Sequence, residues 1–76
     1  MKVKELIEKL KQMPQDLEVL TSGYEDGYEN ILKPVVMDLV RTSNAPYFQG
    51  EFQEAENNEQ TTFKAVVIKR NRRDDD

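Results

Sequence analysis

Val3, Leu6, Ile7 and Leu10 recur at i, i+3, i+4 and i+7, and Met13 continues the row. That spacing gathers all five on one face of a helix, so the pattern predicts an amphipathic helix over residues 3–13. Pro14 disfavours helical geometry in the residue before it and ends the element. On the polar face Glu5 precedes Lys9 at i, i+4 in the favourable order, while Lys2 and Lys4 oppose the helix dipole. A helix this short falls below the roughly 12–15 residues that are marginally stable alone. Its apolar stripe is therefore expected to cover a sheet.

Beyond the turn Pro14-Gln15-Asp16 the period changes from the helical one to two. Leu17, Val19 and Thr21 alternate with Glu18, Leu20 and Ser22, which predicts a first strand over 17–22 with one face more apolar than the other. Residues 31–41, ILKPVVMDLVR, are rich in branched side chains and predict a second strand, with Pro34 confining its early part to an edge, a bulge or an approach segment. The strongest part is 36–40. A third strand is expected over 63–69, with Phe63, Ala65 and Val67 on one face and Val66 and Ile68 on the other, an arrangement that suits a central position. The intervening connection, 42–62, is longer than compact domains usually leave unstructured. Tyr47, Phe48 and Phe52 can anchor a short strand around Gly50, with residues 56–59 as the tip of a hairpin returning into the third strand, the alternative being a mobile acidic flap.

These elements predict an α+β domain: one N-terminal helix packed on a small antiparallel sheet of three to four strands. The candidate core is Val3, Leu6, Ile7, Leu10, Leu17, Val19, Val36, Val40, Phe63, Val66 and Ile68. A chain of 76 residues has room for one small domain, assigned to 1–71, and domains of this size bury only about 60% of their unfolded surface. The charged end, 72–76, is expected to be a disordered tail. Apolar residues on both faces of the third strand favour a homodimer.

Composition narrows the chemistry. With no cysteine and no histidine, the chain has no disulfide, thiolate nucleophile, imidazole base or cysteine-based zinc site. Neither phosphate-cradling nor dinucleotide-binding glycine motifs occur, and no cofactor is expected. Two carboxylates can in principle do acid–base work, but glycoside hydrolysis needs them fixed across a cleft that one thin sheet seldom encloses. The reading is not an enzyme. Charged residues break up the N-terminal segment and no apolar run reaches membrane-spanning length, so a cytoplasmic protein without membrane contact is expected. A net charge of -4 argues against direct nucleic-acid binding, because the phosphate backbone rewards clustered cations. The basic cluster Lys69, Arg70, Arg72 and Arg73 runs directly into Asp74, Asp75 and Asp76, which offset it.

What remains is the stretch SGYEDGYEN, residues 22–30. Asp26-Gly27 between two predicted strands is a hairpin signal, with the glycines as turn residues and the tyrosines at the sheet edge. Glu25, Asp26 and Glu29 are also hard oxygen donors for calcium or magnesium, although their spacing matches no EF-hand loop. Tyr24, Tyr28 and Tyr47 offer rigid amphipathic contact area of the kind enriched in protein interfaces, and the neighbouring carboxylates can select a basic partner. Tyr24, Glu25, Asp26, Tyr28, Glu29 and Tyr47 are thus the candidate partner-binding residues. A different use of the same charge is mimicry: Glu51, Glu54, Glu56 and Glu59, with the loop acids, can present a spaced anionic surface to the basic cleft of a nucleic-acid-binding protein.

VKELIEKLKQMPQDLEVL followed by SGYEDGYENI resembles the opening of small uncharacterised proteins from bacteria and their phages, which share a helix, a proline-aspartate turn, a strand and a glycine-tyrosine loop. The resemblance covers the first half of the chain. It implies origin in a phage or other mobile element and supplies no activity, cofactor or site residue. The reading at this level is a non-enzymatic protein-interaction module, an accessory protein that binds a host protein through 23–30. Acidic mimicry is the alternative, and metal or small-ligand binding at the same loop is the third.

Overall fold

A computed structural model describes residues 1–42, 49–56 and 62–73. The chain is α+β: helix α1 at Val3–Lys11, then strands β1 at Leu20–Ser22, β2 at Tyr28–Asn30, β3 at Val35–Arg41, β4 at Phe52–Glu54 and β5 at Phe63–Val67. The strands form two antiparallel sheets, β1-β2 and β4-β3-β5. They belong to separate compact units, one comprising Met1–Lys33 with the chain from Ile68 onward, the other Pro34–Val67.

In the first unit, α1 starts where the Glu5 carboxylate accepts the Lys2 backbone N–H at 2.9 Å. This is half of a capping box, since the Lys2 ammonium has no acceptor with which to return the bond. The helix closes ahead of Pro14, two residues short of the expected Met13. Its last turn ends at Lys11, and the Gln15 side-chain amide donates to the carbonyls of Leu10 and Met13 at 3.0 and 2.7 Å, taking up acceptors that a helix end leaves open. Val3, Ile7, Leu10 and Met13 stay exposed and Leu6 is half-buried. Residues 17–19 carry no regular structure, so the first strand is shorter than the alternation of 17–22 predicts. Its partner is Tyr28–Asn30, which the sequence pattern assigns to the loop.

The second unit is centred on β3. Val35, Met37 and Leu39 pair with Val67, Ala65 and Phe63 of β5, while Leu39, Val40 and Arg41 pair with Glu54, Gln53 and Phe52 of β4. Directly paired residues share a face. One face therefore carries Val35, Met37, Leu39, Phe63, Ala65 and Val67 together with Phe52, Arg41 and Glu54, and the other Val36, Asp38, Val40, Gln53, Lys64 and Val66. The central strand is β3 and not the third predicted strand, which lies at the edge as β5. Likewise β4 does not return into β5 as a hairpin: β3 lies between them, with Thr42 N–H donating to Glu51 O at 2.8 Å beside the β3–β4 ladder. β3 is the longest strand and has ladder positions for both neighbours. The expected Tyr47 and Phe48 anchors, most of the expected 56–59 tip and Asp74 to Asp76 of the tail lie outside the described residues.

No described residue is fully buried. Of the candidate core, Leu6 and Val40 are half-buried and the others are exposed, Val36 being 67% accessible. The second unit contains an aromatic contact. The Phe52 and Phe63 rings meet edge to face with centroids 5.4 Å apart, and the Arg41 guanidinium lies 5.0 Å from the Phe52 centroid while pairing with Glu51. Phe52→Leu keeps most of the apolar area but removes both ring-specific contacts, so it should lower stability by about 1 kcal/mol. Denaturant unfolding measures this. A change below about 0.3 kcal/mol would mean that the rings contribute only area.

Candidate functional site

The stretch SGYEDGYEN is a complete hairpin. Leu20 pairs with Asn30, Thr21 with Glu29 and Ser22 with Tyr28, and the ladder closes with Gly23 N–H donating to Gly27 O at 2.8 Å. Tyr24–Asp26 then forms a tight turn in which Gly27 N–H donates to Tyr24 O at 2.9 Å. Its two central residues, Glu25 (φ 50°, ψ 49°) and Asp26 (φ 62°), both adopt the left-handed conformation, as in a type I′ turn. Such turns match the right-handed twist of the flanking strands and usually carry Asn-Gly or Asp-Gly at the centre. Here the Asp-Gly pair is displaced by one residue. The glycines are not left-handed, with φ of -118° at Gly23 and -88° at Gly27, and the conformational cost falls on Glu25 and Asp26.

Gly23 has another role. A Cβ placed on it would lie 2.8 Å from the Glu29 Cγ. The two residues are diagonal neighbours on one face of the hairpin, and the absence of a side chain at 23 lets Glu29 fold over the backbone. The Glu29 side chain is only 15% exposed and its Oε2 lies 3.2 Å from Arg73 Nη2.

This arrangement depends on the chain's return. Residues 69–71 run antiparallel beside 30–32: Ile31 bridges Arg70, Leu32 N–H donates to Lys69 O at 2.8 Å, and Asn71 N–H donates to Asn30 O at 2.6 Å. Because Arg70 stands opposite Ile31, it shares a face with Thr21, Gly23 and Glu29. Its guanidinium lies 4.0 Å from the centroid of the Tyr24 ring, a stacking distance for a cation on an aromatic face. Among the described residues of this unit, the half-buried ones are Leu6, Thr21, Gly23, Glu29, Ile31 and Arg70. Its covered face is thus built around charge.

The candidate residues consequently separate into three groups. Tyr24 and Glu29 are tied to Arg70 and Arg73. Glu25 and Asp26 stand exposed at the tip. Tyr28 lies on the opposite face beside Ser22 and is 72% exposed; with Ser22, Gly23, Asp26 and Gly27 it lines an open depression of about 180 Å³. Tyr47 lies outside the described residues. Among the described residues no three metal-ligating side chains converge, and the Glu29 carboxylate pairs with Arg73. Of the acids in the mimicry reading, Glu51 is engaged by Arg41 and Glu29 by Arg73.

Arg70 and Arg73 are the residues that sequence reasoning leaves out of the site. Their signal was the sign of their charge: a basic run at one end of the chain and an acidic-aromatic loop nearer the other are complementary, whereas the adjacent Asp74 to Asp76 suggest local neutralisation. No family model, curated protein or solved structure matches the chain. No helix among the described residues is long and apolar enough to cross a membrane.

Proposed function

We propose that this chain is a non-enzymatic protein-interaction module whose contact surface is the tip and outer face of the β1-β2 hairpin. The observation that carries the reading is the pair of left-handed, non-glycine residues at the tip. For L-residues this conformation costs about 1–2 kcal/mol each, and an Asn-Gly pair would relieve it without altering the fold. Backbone strain at an exposed position supports a functional reading of it. The exposed Tyr28 ring beside it supplies the rigid aromatic area that protein interfaces favour. Glu25 and Asp26 add two carboxylates that set a preference for a cationic partner surface. In this reading the chain is an accessory protein of a phage or mobile element, and its partner is a host protein.

The test is affinity capture from host lysate with wild type and Tyr28→Ala side by side, after circular dichroism establishes that both fold alike. The Tyr28 backbone pairs with Ser22 while its side chain is exposed, so truncating the ring separates contact from folding. Capture of the same protein by wild type but not by Tyr28→Ala, persisting as salt is raised from low to physiological strength, is the expected result. Equal capture by both would sink the proposal. Capture that ignores Tyr28 and collapses with salt would instead favour the acidic-mimic alternative.

A further inference from the structure

We propose that the outer edge of β2 and the residues that follow it, flanked by the Tyr24 ring and the Glu29 carboxylate, form a groove for an extended peptide carrying two arginines three residues apart, and that the chain's own residues 69–73 occupy it as an internal stand-in. The inference deepens the interaction-module reading and rests on it.

Three observations define what the groove recognises. Main-chain bonds at 2.8 and 2.6 Å, from Leu32 to Lys69 and from Asn71 to Asn30, flank the Ile31–Arg70 bridge. This is strand addition, which takes any extended backbone. Specificity comes from two anchors. The Tyr24 face takes a guanidinium at 4.0 Å, and the largely covered Glu29 carboxylate takes a second at 3.2 Å. A planar guanidinium suits both places better than an ammonium, because it stacks on a ring and pairs with a carboxylate through a rigid fork. Glu29 is the stronger determinant of partner charge, since leaving a covered carboxylate without a cation is costly. Gly23 completes the groove by giving Glu29 its place over the backbone.

The same geometry makes the segment a built-in competitor. Held on the same chain, residues 69–73 face the groove at an effective concentration on the order of millimolar. A foreign Arg-x-x-Arg strand must displace them, so only a tight or abundant partner enters. Any modification or substitution that loosens the segment opens the site.

The probe is a fluorescent, end-capped peptide of sequence Lys-Arg-Asn-Arg-Arg, titrated by anisotropy against the full chain at fixed ionic strength. Arg70→Ala, Arg73→Ala should bind it at least about tenfold more tightly than wild type does, because the internal competitor is weakened. Arg70→Lys, Arg73→Lys, which keeps the charge and the fold more closely, should fall between them. Adding Glu29→Gln or Tyr24→Leu to the arginine variant should abolish the gain, whereas Glu25→Gln, Asp26→Asn should leave it intact. Equal affinity for all variants, or a loss that follows only the total negative charge, would overturn the proposal. So would failure of the peptide to bind while wild type dimerises through this segment in light scattering, since the groove would then belong to a second copy. The test is independent of Tyr28. Loss of lysate capture by Tyr28→Ala together with a negative peptide titration rejects the groove and keeps the interaction module, and the opposite pattern rejects the tip surface alone.

Discussion

Gly23→Val should lower the stability of the protein by about 2 kcal/mol, the cost of overpacking a close contact, and depress the melting temperature by roughly 8–16 °C for a domain of this size. The residue's backbone is extended, so nothing in its own dihedral angles requires glycine. The cost arises across the ladder. A Cβ at 23 meets the Glu29 Cγ at 2.8 Å, inside any normal contact. The clash falls close to the backbone of Glu29, so the side chain must swing as a whole. Swinging takes its carboxylate away from Arg73 and opens the covered face of the hairpin. A smaller opposing term follows from the stiffer unfolded chain, about 0.4–1 kcal/mol for replacement of a glycine. The double-mutant cycle with Glu29→Ala isolates the mechanism. In that background Gly23→Val should cost less than half as much, because the atom it strikes is gone. An undiminished cost would place the strain in the Gly23 backbone and remove the close approach as its explanation.

The helix and the long strands were legible because burial, or its attempt, imposes a period. Val3, Leu6, Ile7 and Leu10 mark α1, and the branched run from Val35 to Val40 marks β3. The α+β class follows from these alone. Where polar residues form the ladder, the period gives no signal: Tyr28, Glu29 and Asn30 form β2 with few apolar residues among them, and the stretch looks like loop. Pairing partners were equally hidden. The segment from Phe63 to Ile68 carries apolar residues on both faces, yet β5 lies at the sheet edge, because position within a sheet depends on which strand can offer two ladders and not on its own hydrophobicity. At the candidate site the sequence revealed the acids and tyrosines but not their division. Glu29 and Glu25 are four residues apart and chemically identical, yet one is covered and paired with Arg73 while the other stands exposed on a left-handed backbone. The hairpin puts Glu25 in the turn and Glu29 in the ladder, and the return of residues 69–73 supplies the cation, a contact that joins residues about forty positions apart in the sequence.

Glu25→Asn with Asp26→Gly should raise stability by about 1–2 kcal/mol, since each left-handed L-residue costs about that much and Asn-Gly is the preferred centre of this turn. The melting temperature should rise by roughly 4–8 °C for each kcal/mol gained. A protein whose hairpin served only to connect two strands would lose nothing by this exchange. If the tip is a contact surface, the same double variant should be more stable and yet lose capture of the partner, because two carboxylates and their fixed presentation disappear together. Charge and conformation are then separated by Glu25→Gln with Asp26→Asn, which preserves the turn's non-glycine backbone while removing both charges. Loss of capture in this second variant assigns recognition to the carboxylates, and retention assigns it to the shape of the tip with Tyr28 beside it. Full capture by the stabilised Asn-Gly variant would show that the strain at Glu25 and Asp26 serves no contact. The hairpin's remaining role would then be to hold Tyr24 and Glu29 against Arg70 and Arg73, and the search for a partner would move from the tip to the β2 edge.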